Sequence, residues 1–225
     1  MLAFLDLKIR DGLMPIWRNM CLSTVYLMTL GLYAKENGKR LYWEKVKTES
    51  RVTIYKAKVT NQVAFRGVGK MKGKPETLIS IIENPEGWKN WIENIKFGKL
   101  IEAVSPTHKI FYQAIRSPFP VSDRDVVYES KIFRDNPESF RIEMKSVLHP
   151  KAPKSIGVRI NILFTRYHIE KIDDNTMNVT FETLSNPGGT LPGFMVNWAS
   201  ANYPITLFEG LRRELSMLKK PQSKK

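Results

Sequence analysis

The sequence predicts an α+β domain in which an antiparallel sheet covers one long amphipathic helix. Three observations carry this. Strand-like runs dominate from Arg51 to Leu184, their apolar residues alternate or mix with β-branched neighbours, and the last apolar residues switch to a spacing of three or four. At 225 residues, with 42% hydrophobic and 11% aromatic content, the chain has the apolar mass for one sizeable core. No repeat or low-complexity segment interrupts Lys35 to Leu218, so residues 35–220 read as one domain and 221–225 as a solvated basic tail.

The first paired strands are RVTIYKAKV and QVAFRGVGKMKG. KPETLISIIENPEGWKNWIENI reads as helical: Pro75 suits a first turn, and Trp88, Trp91, Ile92 and Ile95 recur at helix spacing. Strand-like runs follow at 109–116, 125–134, 139–148 and 157–172, and the turn in KIDDNTMN leads into 177–184. Val158, Ile160, Ile162 and Phe164 alternate, as a half-buried antiparallel strand requires. The last helix carries Phe194, Trp198, Ala201, Ile205, Phe208, Leu211, Leu215 and Leu218 on one stripe, with Pro204 expected to bend or break it.

A net charge of +14 and a pI near 9.8 call for an anionic partner. The lone cysteine, Cys21, excludes an internal disulfide and a Cys-based zinc site. It lies in a stretch without charge from Asn19 to Ala34, preceded by Arg18 and ended by small residues Gly31 and Ala34. That is the layout of a signal peptide or anchor over residues 1–34, with translation starting at Met1 or, given Asp6 and Asp11 upstream, at Met14. A buried first helix is the other reading.

Catalytic signatures are thin. His108, His149 and His168 sit on separate segments without metal-ligand spacing, and no G-x-S-x-G elbow occurs, so no metal, cofactor or catalytic residue is assigned. GVGKMKGKP imitates a phosphate loop, but its glycines are one residue too far apart and Pro75 stands where Ser or Thr is needed. Glycines for twist or close packing explain it better. Two loops stand out instead. SPFPVSDRD joins two strands with a phenylalanine between prolines, and SNPGGTLPGFMVNWA joins the last strand to the last helix.

P-x-P-V-S-D-R-D before a strand, then N-P-G-G-x-x-P and N-W before a long helix, resembles the START family of lipid-transfer domains, nearest its phosphatidylcholine-transfer branch. The match spans about Arg40 to Lys219. The resemblance implies a helix-grip fold, a curved antiparallel sheet around the C-terminal helix enclosing a tunnel for one lipid. It implies a first lip at residues 117–123, where Pro118, Phe119 and Pro120 dip into a bilayer and Arg124 and Asp125 fix the base. It implies a second lip at 186–191, with Pro187 and Leu191, and a lid formed by Phe194, Met195 and Trp198. Tunnel-lining residues are expected to be Tyr112, Val127, Phe164, Ala201, Ile205 and Phe208. Implied partners are a phospholipid-like or other amphiphile and an anionic membrane surface, without nucleic acid, for a monomer that is periplasmic or secreted if the leader is cleaved and otherwise cytoplasmic and membrane-peripheral.

Departures keep the lipid open. No arginine occurs from Val126 to Phe133, where sterol carriers place one; Ser130 stands there instead. Val126 and Gln113 replace aromatics expected around a choline head, with Tyr112, Phe164 or Tyr167 as substitutes. The alternative function is a cyclase or aromatase on the same scaffold, for which His168 and Glu170 are the titratable candidates.

Overall fold

The computed structural model describes residues 35–36, 39–59, 62–189 and 193–218, with side chains for 41–59, 62–189 and 202–218. The leader expected over residues 1–34 and the tail at 221–225 lie outside these. The chain divides into two units, Met1–Leu41 and Tyr42–Lys225. In the first, β1 (Lys35–Glu36) pairs antiparallel with β2 (Lys39–Arg40).

The second unit holds a ten-stranded sheet and a C-terminal helix. Its strands are β3 (Glu44–Glu49), β4 (Val52–Val59), β5 (Gln62–Lys72), β6 (Ile95–Ser105), β7 (His108–Ile115), β8 (Arg124–Asn136), β9 (Ser139–Ser146), β10 (Val158–Arg159), β11 (Asn161–Asp173) and β12 (Thr176–Asn186). They run in the order β3-β4-β5-β12-β11-β9-β8-β7-β6, all antiparallel neighbours, while β10 pairs parallel with the start of β8. Strands β4 and β5 form the hairpin that the alternation of RVTIYKAKV predicts, with Ile54 opposite Gly67. The central pairing of β5 with β12 joins the two ends of the chain, so the sheet needs both halves before it closes.

The long helical reading after Lys74 is corrected. Helix α1 covers only Pro75–Ile82, a single 3₁₀ turn covers Trp88–Asn90, and Ile95 already opens β6. Pro85 and Gly87 interrupt the chain between them, and Asn94 at φ 62 turns it into the strand. Trp88 and Trp91 are buried by packing onto the sheet rather than by sharing a helix face. Trp88 sits 5.3 Å from Phe111 and 6.3 Å from Tyr128, and its indole Nε1 donates to the Ile82 carbonyl at 2.8 Å. Edge strand β6 escaped the sequence reading because its apolar residues are spaced irregularly and three of its pairings are shifted.

Helix α2 (Gly193–Leu218) runs for 26 residues through Pro204, which does not break it. Its buried residues Ile205, Leu207, Phe208, Leu211 and Leu215 join Val52, Ile54, Phe181, Val179 and Met177 in the main core. Strand β5 meets the helix with glycines: a Cβ on Gly67 would lie 3.0 Å from Pro204, and one on Gly69 would lie 3.1 Å from Phe208 and 2.9 Å from the Arg51 carbonyl. Those are the glycines of the false phosphate loop, and close packing is what they serve. Gly69→Ala is expected to destabilise the domain by about 1–3 kcal/mol, because the backbone of Arg51 has no freedom to yield. Urea unfolding followed by tryptophan fluorescence measures this, and an unchanged midpoint contradicts the tight seat.

Candidate functional site: the helix-facing core and its rim

Alternation along the strands assigns side chains to two faces. The face toward α2 carries Phe111, Val126, Tyr128, Ile142, Tyr167, Ile169, Val179 and Phe181, in one cluster with the helix. The opposite face carries a second cluster of Ile110, Tyr112, Ala114 and Val127. Tyr112 and Val127 are therefore corrected: both are buried, but away from the helix, because each neighbours a helix-facing residue, Phe111 or Val126. Phe164 is corrected as well. A register shift between Ile162 and Phe164 inserts one residue into β11 and reverses the alternation that Val158, Ile160 and Ile162 began. Phe164 consequently lies beneath the Arg166 guanidinium at 4.4 Å, on the face of the Arg66–Glu182 ion pair. Ile205 and Phe208 do face the sheet interior. The side chains of Phe194, Met195, Trp198 and Ala201, and all of Leu191, lie outside the described residues.

Three tyrosines converge on the helix-facing side: Tyr128 on β8, Tyr167 on β11 and Tyr203 on α2. Tyr167 packs 5.1 Å from Phe181, which packs 5.9 Å from Tyr203. Tyr128 and Tyr167 are 4% exposed, and burial raises both phenols well above their ordinary range. Tyr203 is 39% exposed, and burial pushes its phenol up to about 12.

The rim gathers three loops at one end of the sheet. Between β7 and β8, Phe119 is 97% exposed on a turn closed by Val121 N–H donating to the Pro118 carbonyl at 2.9 Å; Pro118 and Pro120 are exposed beside it. Pro187 is half-buried at the end of β12, and Gly188 and Gly189 follow with φ of 66° and 60°. The third loop, 147–157, was missed in the sequence because the reading passed over HPKAPKS as a link between strands. It presents Leu148 and Ile156 to solvent, and Val147, Leu148, His149, Pro150, Ala152 and Arg159 line a pocket of about 380 Å³. That pocket opens beside the Tyr112 cluster, on the face away from the helix.

Asp125 ties the rim together. It is fully buried and accepts from Arg159 Nε at 2.7 Å, from the Ile156 N–H at 2.8 Å and from the Tyr112 hydroxyl at 3.2 Å. Burial pushes its carboxyl up, but the bonds from Arg159 and Ile156 outweigh that and hold it below the ordinary value. Burial and the Asp125 charge in turn push Tyr112 up to about 12. Arg124 donates to the Ser122 carbonyl and, at 3.4 Å, to Ser117 Oγ, while Asp123 accepts from Lys96 at 2.6 Å and from the Ser117 N–H at 3.0 Å. The charge cluster thus clamps the base of the apolar loop. Ser130 is buried and donates to Glu83 at 2.6 Å, and Glu83 also pairs with Lys109 at 3.2 Å.

His168 and Glu170 stand 3.9 Å apart on the face away from the helix, half of the glutamate exposed. His168 meets Ser139 Oγ at 3.1 Å. They do not converge with the tyrosines. No group of residues suited to a metal ion occurs among the described residues.

Residues 29–224 match the START domain family. Mouse phosphatidylcholine transfer protein is 26% identical over 71% of this chain and 77% of its own length. An uncharacterised protein of Pseudomonas aeruginosa is 25% identical over 76% of this chain and 85% of its own. Among solved structures, human StAR-related lipid transfer protein 5 aligns with a TM-score of 0.73 at 16% identity, covering 90% of this chain and 97% of that one. A STAR-related lipid transfer protein fragment from Xanthomonas axonopodis aligns with a TM-score of 0.69 at 21% identity, covering 77% and 98%. A sheet closed by a C-terminal helix is common to these folds, and with a match over most of its length the chain belongs to the START domain family.

Proposed function

We propose that this protein is a non-catalytic carrier that holds one amphipathic lipid between its sheet and its C-terminal helix and delivers it at anionic membranes. The observation that carries this is a START-family sheet covered by a C-terminal helix, with apolar Phe119, Leu148 and Ile156 exposed at one end of the sheet. Similarity to phosphatidylcholine transfer protein supports the lipid as cargo.

The energetics favour such a device. Moving two acyl chains through water exposes roughly 30 methylenes, a cost on the order of 25 kcal/mol at about 0.8 kcal/mol each. An apolar grip offsets most of that, and a rim that opens at the bilayer avoids the aqueous step. Phe119, Leu148 and Ile156 are the rim residues that enter the membrane. The positive charge draws the carrier to the surface, each Lys or Arg near an anionic bilayer contributing about 1 kcal/mol. The leader at residues 1–34 sends the carrier across an inner membrane, residues 35–220 act as the lipid-binding domain, and it works as a monomer.

Native mass spectrometry of the protein from its own host is expected to show a bound amphiphile, and a uniformly lipid-free protein overturns the carrier reading. Transfer between anionic vesicles should slow as salt rises, since screening weakens docking. Phe119→Asp should bind vesicles about thirtyfold more weakly, the loss of roughly 2 kcal/mol of burial. Asp125→Asn should destabilise the rim by about 2 kcal/mol by weakening a charged hydrogen-bond set. Because the carboxyl is held low in the folded state, its contribution is complete above about pH 4 and disappears as pH falls through the lower folded value. Hydrogen exchange at Ile156 across that range reads it out.

A further inference from the structure

We infer that the pocket of loop 147–157 is a second binding site, on the face away from the helix, for a single-chain carboxylate amphiphile. It is separate from the space between sheet and helix, so it goes beyond the carrier reading and does not depend on it. The loop sequence VLHPKAPKS already mixes the two properties such a guest needs, apolar bulk and positive charge. Val147, Leu148, Pro150 and Ala152 supply hydrocarbon walls, and Val147 and Ala152 pack against the buried cluster of Ile110, Tyr112, Ala114 and Val127. His149 is a fixed wall as well: its Nε2 meets Glu102 Oε2 at 3.1 Å and its Nδ1 accepts from the Lys151 N–H at 3.3 Å. The opening of about 380 Å³ falls within the roughly 300–1,000 Å³ of small-ligand sites. Leu148 is fully exposed, so a stem laid along these walls covers hydrocarbon that otherwise faces water.

Arg159, which also lines the pocket, supplies the contact for the head. Its Nε donates to Asp125 at 2.7 Å, and its Nη2 donates to Asp125 at 3.3 Å and to the Pro153 carbonyl at 2.8 Å. Those three bonds occupy Nε and both hydrogens of Nη2. Nη1 has no acceptor among the described residues. A guanidinium held flat by a buried carboxylate is preorganised, and its free N–H groups suit an oxyanion.

Charge narrows the guest. Asp125 already shares the guanidinium from the buried side, so a second anion must carry little charge and draw on the wider field. The net charge of +14 supplies that field, and exposed Lys151 and Lys154 stand on the same loop. Glu102 is compensated by Lys151 at 3.3 Å and by His149, which limits its repulsion of a guest. A phosphate monoester brings up to two charges and needs further free cations. A carboxylate needs one donor edge, and the apolar walls require that it carry a hydrocarbon stem.

The full chain is titrated with decanoate while backbone amide shifts are followed by NMR, with decanol as the stem without charge and acetate as the head without a stem. Decanoate is expected to shift the amides of Val147, His149, Ala152 and Arg159 saturably, and decanol and acetate should bind there at least about tenfold more weakly. Ala152→Trp, which fills the pocket, should abolish the decanoate shifts in the loop. Arg159→Lys keeps a cation for Asp125 but removes the second donor edge, and it should weaken decanoate about tenfold. It serves if the tryptophan variant fails to fold, with hydrogen exchange at Ile156 reporting that the rim is intact. Equal binding of decanol or acetate overturns the site, as does unchanged decanoate binding in both variants. Shifts confined to helix-facing residues such as Ile169 and Val179 overturn it too, while leaving the carrier reading standing. No shift anywhere with decanoate also overturns it.

Discussion

Everything in this molecule depends on how close a helix can come to a sheet. At Gly67 and Gly69 the backbone of β5 lies against Pro204 and Phe208 with no side chain between them. That contact fixes the terminal half of α2. On the β12 and β11 side the helix meets rings instead: Tyr203 of α2 packs 5.9 Å from Phe181, which packs 5.1 Å from Tyr167.

The two faces of the sheet solve different problems. On the helix side the buried polar groups include the tyrosine hydroxyls, Ser130, Thr165 and Glu83, which pairs with Lys109. On the other side they are charges, Asp125 with Arg159 and Glu182 with Arg66, each compensated by its partner at hydrogen-bond distance. A buried charge is tolerable only with such a partner. Placing the Asp125–Arg159 pair behind the rim anchors loops whose tips are hydrophobic.

Much of the fold was legible in the sequence, because antiparallel strands of a half-buried sheet write their burial as alternation. The hairpin of β4 and β5, the strands from β7 to β12 and the terminal helix follow from that pattern and from the three-or-four spacing after Gly193. The segment from Glu83 to Ile95 was not legible, since tryptophans at positions 88 and 91 mimic a helix stripe while they pack from a 3₁₀ turn and a loop. Nor was the facing of Tyr112, Val127 and Phe164: the first two needed the strand's absolute phase, and the last needed a bulge that no local residue announces. The rim loop SPFP was legible through its prolines, whereas loop 147–157 joins the rim only through contacts to Asp123 and Asp125 made across some thirty positions, such as Arg159 to Asp125 at a separation of 34. The tyrosine cluster draws on three distant elements and leaves no motif.

The extra residue in β11 between Ile162 and Phe164 divides that strand into two stretches with opposite phase. Gaining or losing a single codon on the rim side of it would exchange which residues line the opening, while Thr165, Tyr167 and Ile169 keep their orientation below. The rim can therefore diversify through changes in length, and the helix-facing core below it only through substitution.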